Sequence, residues 1–325
     1  MIDGAHRRPK LPRMPHYRPI RVAASSACAL AMLLAGGCER ASTPAKGDST
    51  IVPAEGASAA VVATKAGSGW DAAAGPVLLV QGETRDEAIV LLPSDDDTVA
   101  ADALKRLGQR AAVATLIGRG GDRFSAQLGA PPASTDAECR VWPLRAVEGD
   151  AASTWSVGFV NEQVQPLALD SVDLLSSRDS SLLAAEASRL ASAVTAVTSP
   201  SFQGLRFSAH DMRRFEMVPG VQALVAHLIR KVNQEANPQE EQTLLIAERD
   251  SGVTTGPYRL VYAERTHGME ESSTTPEVIG AVIIAGRPTL VVARDSDAGV
   301  AYVLLERTGK GQWRVRWASG LTRCG

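Results

Sequence analysis

The stretch PGVQALVAHLIRKV, residues 219–232, decides how the C-terminal half of this chain is read. Val221, Leu224, Val225, Leu228, Ile229 and Val232 recur at spacings of three and four. On a 3.6-residue period they make one apolar stripe, with His227 at its polar edge, where solvent is expected. Pro219-Gly220 opens the element. Asn237-Pro238 stops it, because proline disfavours the helical region in the residue before it. The spacing therefore predicts a helix over 221–232. A second helix is predicted over 180–197, where a capping serine leads into Leu183, Ala187, Leu190, Val194 and Val197. A short third helix is expected over 98–107, after the acids of SDDD at 94–97.

Around these helices the pattern is β. Apolar runs at 77–80, 89–92, 113–117, 123–128, 139–147 and 155–160 read as strands, with a turn at GRGGD and a tight hairpin at Asn161-Glu162. Residues 205–207 and 213–217 are further candidates. Beyond residue 238, TLLIAERD, YRLVYAERT, TLVVARD and YVLLERT each run apolar and end in charge. Opposite charges at such strand ends are expected to face one another across the sheet. A Gly-Lys-Gly turn joins the last hairpin, in which Trp313, Val315 and Trp317 alternate with Arg314 and Arg316. The expected fold is α+β: mainly antiparallel sheet with two principal helices, in two lobes, 76–198 and 199–325. TSPSFQG, residues 198–204, supplies the composition break between them.

The N-terminus reads differently. Six basic residues precede an uncharged run from Val22 to Ala35, too short for the roughly 20 residues of a membrane-spanning helix. It fits the apolar region of a secretory leader with small residues at its end. Gly36-Gly37-Cys38 closes the run and resembles the bacterial lipoprotein signal. That family prefers leucine three places before the cysteine; here Ala35 stands there and Leu34 one place earlier. The resemblance implies a signal peptide at 1–37, lipid on Cys38 and a membrane anchor. Glu39, where aspartate would retain a lipoprotein at the inner membrane, implies the outer membrane, facing the periplasm. Residues 38–75, rich in Ala, Gly, Ser, Thr and Pro, then read as the lipidated cysteine and a flexible tether.

Removing residues 1–37 takes six basic residues and Asp3 from totals of 34 and 36, leaving 28 against 35, a net of −7. An acidic chain repels phosphate backbones, so nucleic acid is not an expected partner. Of four cysteines, Cys28 leaves with the leader and Cys38 carries lipid. Cys139 and Cys324 remain as a disulfide candidate, in a compartment that permits one.

Motifs for chemistry are sparse. The chain has no G-x-S-x-G, no H-E-x-x-H and no phosphate loop. Three histidines follow the leader, His210, His227 and His267, so no metal site is expected, and no cofactor. A serine mechanism would need His210 or His267 with a distant serine. NQEANPQEEQ, residues 233–242, gathers acids where a helix would end, an unfavourable place for negative charge. Glu240 and Glu241, with the face of Trp313 and Trp317, are therefore the candidate binding surface. Two readings stay open. One is a non-enzymatic envelope lipoprotein that binds an envelope protein or polysaccharide or supports assembly. The other is a periplasmic hydrolase of envelope polymers, working through paired carboxylates such as Glu240, Glu241 or Glu264.

Overall fold

The structure is a computed structural model that describes residues 77–92, 102, 105, 107, 112–131, 140–146, 154–160, 164–194, 200–232, 238–252, 256–270 and 272–324. These all belong to one compact unit, Ala63–Gly325. The expected leader, Cys38, the tether, the acids of 94–97, the turn at Asn161-Glu162 and Cys139 lie outside the described residues.

Six antiparallel strands close a barrel: β1 (Val77–Gln81), β2 (Glu87–Leu91), β3 (Val113–Gly118), β4 (Arg123–Leu128), β5 (Val141–Ala146) and β6 (Trp155–Val160), in the order β1-β2-β5-β4-β3-β6. Closure removes the sheet's free edges. Alternate residues fill the interior, among them Val77, Leu79, Val90, Leu116, Trp142 and Trp155. Asp102, Lys105 and Leu107 are helical, and Leu107 is buried in this interior.

Two five-stranded antiparallel sheets follow. The first, ordered β12-β11-β10-β9-β8, holds β8 (Asp170–Ser171), β9 (Ser208–Val218), β10 (Val221–Val232), β11 (Gln239–Asp250) and β12 (Arg259–Met269). The second, ordered β16-β15-β14-β13-β7, holds β7 (Val164–Pro166), β13 (Thr275–Ile284), β14 (Arg287–Ser296), β15 (Gly299–Gly309) and β16 (Gln312–Ala318). Their facing sides share one core: Phe215, Val225, Leu244 and Ile246 from the first, Val278, Leu290, Val292 and Val303 from the second. The outer side of the second sheet packs on the barrel through Val282, Val291 and Leu304 against Leu78, Val157 and Phe159. One helix, α1 (Ser177–Ser192), covers the outer side of the first sheet, with Ala187, Leu190 and Ala191 against Leu224, Leu228 and Leu245. The order of layers is barrel, sheet, sheet, helix.

This architecture corrects the expected fold class. The chain is mostly β, and among the described residues it has one long helix, not two. The helix expected over 180–197 is α1, but it lies about a turn earlier: its cap is Ser176, whose side chain accepts from the Asp179 N–H, and Val194, expected within it, lies beyond its end. The expected helix over 221–232 is the strand β10, paired along its length with β11. It is buried on both faces, Ala223 and Val225 towards the sandwich core, Leu224, Ala226 and Leu228 towards α1. A strand apolar on both faces loses the two-residue alternation that marks a strand. What survives is a run whose chance spacing imitates a helical stripe. Val221, Val225, Ile229 and Val232 are β-branched, the one local sign of a strand. Pro219-Gly220 is the β9–β10 turn, with Gly220 at φ +83°, as a type II corner requires.

β7 and β8 lie before residue 198 yet complete the edges of the two C-terminal sheets.

Candidate functional site

Polar groups gather where β10, β11 and β12 run towards residues 230, 240 and 267. Successive strand residues face opposite sides. Glu240 and Gln242 therefore lie on the sandwich side with Leu244 and Ile246. Glu241 and Thr243 lie on the α1 side with Leu245 and Ala247.

On the α1 side Glu241 is fully buried. Its Oε1 accepts from Arg230 Nε at 2.9 Å, lies 2.7 Å from Arg230 Nη2 and 3.2 Å from Arg265 Nε. Oε2 has no hydrogen-bond partner among the described residues. Arg265 Nη2 donates to the Ala191 carbonyl at 2.8 Å, in the last turn of α1, where positive charge is favoured. The Arg230 guanidinium lies 4.5 Å from the Phe207 ring centre and 5.7 Å from that of Phe202. Burial pulls the Arg265 pKa down, although Glu241 opposes it. One carboxylate thus holds two arginines between helix and sheet, and removing it would leave two buried charges without their acid.

On the sandwich side a chain of hydrogen bonds runs from His227 through Gln242 to β13, where Gln242 Nε2 lies 3.2 Å from Thr275 Oγ1. Gln242 donates through Nε2 to Glu240 Oε1 at 2.5 Å and also contacts Ser273 Oγ at 2.7 Å. Ser273 donates to the same Glu240 oxygen. A carboxylate only accepts, so the amide nitrogen of Gln242 faces Glu240 and its oxygen faces His227. The 2.9 Å contact between Gln242 Oε1 and His227 Nε2 then places a proton on Nε2. Lys231 Nζ reaches Glu240 at 3.1 Å and Glu270 at 2.7 Å. Burial alone would push the Glu240 pKa up, but hydrogen bonds from Ser273, Lys231 and Gln242 together bring it below the usual value. His227 is buried, not solvated, and burial drives its pKa down. The His210 ring meets it edge-on at 5.1 Å.

The remaining strand-end charges pair between sheets as well as along them. Glu264 on β12 holds Arg294 on β14 at 2.5 Å and accepts from the Tyr262 hydroxyl at 2.7 Å. Glu248 on β11 takes Arg307 on β15 at 2.9 Å and the Trp313 indole N–H at 2.8 Å. Burial raises the Glu248 pKa, and these donors more than reverse that.

The expected binding surface does not assemble. Glu240 and Glu241 face opposite sides of one sheet. Trp313 is buried beside Glu248, eight residues along β11 from Glu240, about 26 Å at strand rise. Trp317 packs into the core between second sheet and barrel. A β-bulge explains the split: Leu305 faces Val315 while Leu304 faces Trp317, so Arg316 is an extra residue and the two-residue alternation breaks between the tryptophans. His267 is exposed on the edge strand β12, opposite Glu241. Among the described residues, no three His, Cys, Asp or Glu side chains could hold a metal ion, and no helix is long and apolar enough to cross a membrane.

A concavity of about 350 Å³ lies at one end of the barrel, lined by Gly118, Arg119, Asp122, Thr154, Trp155 and Ser156 among others. Arg119 is ion-paired to Glu277 of β13, and Trp155 donates its indole N–H to the Arg85 carbonyl at 2.9 Å. The sequence showed GRGGD only as a turn. Nothing in that motif announces that the following hairpin and β6 enclose a cleft with it.

Comparison with family models finds no match, and comparison with curated proteins and with solved structures finds none either.

Proposed function

We propose that this chain is a lipoprotein of the bacterial cell envelope, anchored through lipid on Cys38, with a binding or assembly role and no catalysis of its own. The anchor rests on Gly36-Gly37-Cys38 and the leader before it, and its placement at the outer membrane, facing the periplasm, rests on Glu39. The role rests on one observation. The carboxylates nominated for a hydrolase are engaged by basic groups: Glu240 by Lys231, Glu241 by Arg230 and Arg265, Glu264 by Arg294. Glu240 and Glu241 also point to opposite faces of β11, so they cannot flank one scissile bond as a paired acid and base must. The rigid layers and the barrel-end cleft suit presentation of a surface to an envelope protein or polysaccharide.

Fractionation of cells carrying Cys38→Ser tests the anchor. The variant is expected in the soluble envelope fraction, and retention in the membrane pellet would refute it. Release of new chain ends from purified envelope polymers, abolished by Glu240→Gln, would replace the binding role with the hydrolase.

A further inference from the structure

The outer side of the second sheet, beside the barrel contact, carries three arginines around one acid. Glu306 on β15 lies 2.8 Å from Arg287 Nη1 on β14, 3.4 Å from Arg314 Nη2 and 3.7 Å from Arg316 Nη1 on β16. The Glu306 side chain is 4% exposed, while those of Arg287, Arg314 and Arg316 are 54%, 63% and 34% exposed. The arginines therefore stand between the carboxylate and solvent. No other acid among the described residues pairs with them, which leaves a local charge of +2.

The strand register builds this cluster. Arg314 sits directly opposite Glu306, and Arg287 lies at the start of β14. Arg316 is the extra residue of the β-bulge described above, and such bulges re-aim side chains. A regular strand would have set residue 316 opposite Leu304, a place taken by Trp317. Each guanidinium carries five N–H donors, and one carboxylate can occupy only a few of those fifteen or so. Arg287 stands on the β14 side of Glu306 and Arg314 and Arg316 on the β16 side, with donors to spare on both.

We propose that Arg287, Arg314 and Arg316 form a binding site for a phosphate group of the monoester type. One dianion brings the cluster to neutrality. Its tetrahedral oxygens accept from forked guanidiniums, the geometry that makes arginine the preferred phosphate ligand. The site lies on a chain whose net charge after the leader is −7, so the attraction is local. The phosphate belongs either to a soluble phosphate ester or to a lipid headgroup, and the assignment does not depend on the anchor at Cys38.

The full chain with Cys38→Ser, which carries no lipid, provides the test. Titration with inorganic phosphate at constant ionic strength should show one saturable site by calorimetry. Arg314→Gln, an exposed change that should leave the circular dichroism spectrum intact, should weaken it at least tenfold. Cosedimentation with phosphatidic acid vesicles, against phosphatidylcholine vesicles, separates the sources. Vesicle binding lost in Arg314→Gln assigns a headgroup, with or without measurable binding of free phosphate. Phosphate binding without vesicle binding assigns a soluble ester. Absence of both, or binding equal in the Arg314→Gln protein and its parent, overturns the site.

Discussion

His227 shows how a single buried ring couples the sandwich to pH. It contacts Gln242 on the neighbouring strand β11, and His210, Asp211 and Glu240 are the charges that act on it. Burial lowers its pKa below the ordinary 6.5. As pH falls below about 6.5 the unfolded chain takes up a proton that the folded ring refuses, so stability declines with falling pH until the folded ring also protonates. Glu240 and Glu248 act in a separate window. Their folded pKa values are lowered from 4.5, so their contribution is present above that value and is lost as pH falls through the lowered one. Urea midpoints measured from pH 7 downward should therefore fall in two stages. His227→Gln, which keeps a donor for Gln242, should flatten the first stage and leave the second. An unchanged first stage would show that His227 is not its source. None of this was legible in the sequence, where His227 fell on the rim of a supposed helix; only the pairing of β10 with β11 gives the ring its neighbours.

At the scale of elements, packing against the barrel dictates what β13 can carry. A Cβ added at Gly280 would stand 2.6 Å from Val157 Cγ2, and Ser156 Oγ donates to the neighbouring Ile279 carbonyl at 2.5 Å. Gly280 also lies at a register shift in the β13–β14 ladder. The glycine therefore lets the sheet approach β6 closely. Gly280→Ala should destabilise the protein by about 1–3 kcal/mol through overpacking. Val157→Ala should recover part of that loss in the double variant, as read by denaturant midpoints. Additive losses would mean that the two side chains do not meet. Elements with a local signal were legible: α1 through its apolar spacing, though not its cap at Ser176, and the last hairpin through Gly-Lys-Gly and the alternation after it. β10 was not, because burial on both faces removes alternation from any strand.

At the scale of the whole molecule, the C-terminus returns to the barrel. Thr322 bridges Val300, and Cys324 lines a cleft of about 290 Å³ together with Ile89 of β2. Ile89 is paired with Val141, and the Val90 N–H donates to the Arg140 carbonyl at 2.9 Å. A disulfide between Cys139 and Cys324 is the tie we predict. Closing so long a loop would stabilise by roughly 5 kcal/mol in the chain-entropy model. Non-reducing peptide mapping should recover the linked pair, and reduction should lower the melting temperature of the parent but not of Cys324→Ser. Two free thiols would end the claim.

The sequence by itself determined what is local or summed over the chain: its composition and charge, the existence of α1 though not its bounds, the turns, and the residues on which the proposed anchor at Cys38 rests. It also placed opposite charges at strand ends, but not their partners. Tertiary structure alone decided that β10 is a strand, that Glu264 and Glu248 are paired across two sheets, and that Arg287, Arg314 and Arg316 converge on Glu306. A sequence period reports only which side of an element is apolar, and it falls silent when both sides are buried. Partners separated by tens of residues are chosen by register and layer order, which exist only once the sheets have stacked.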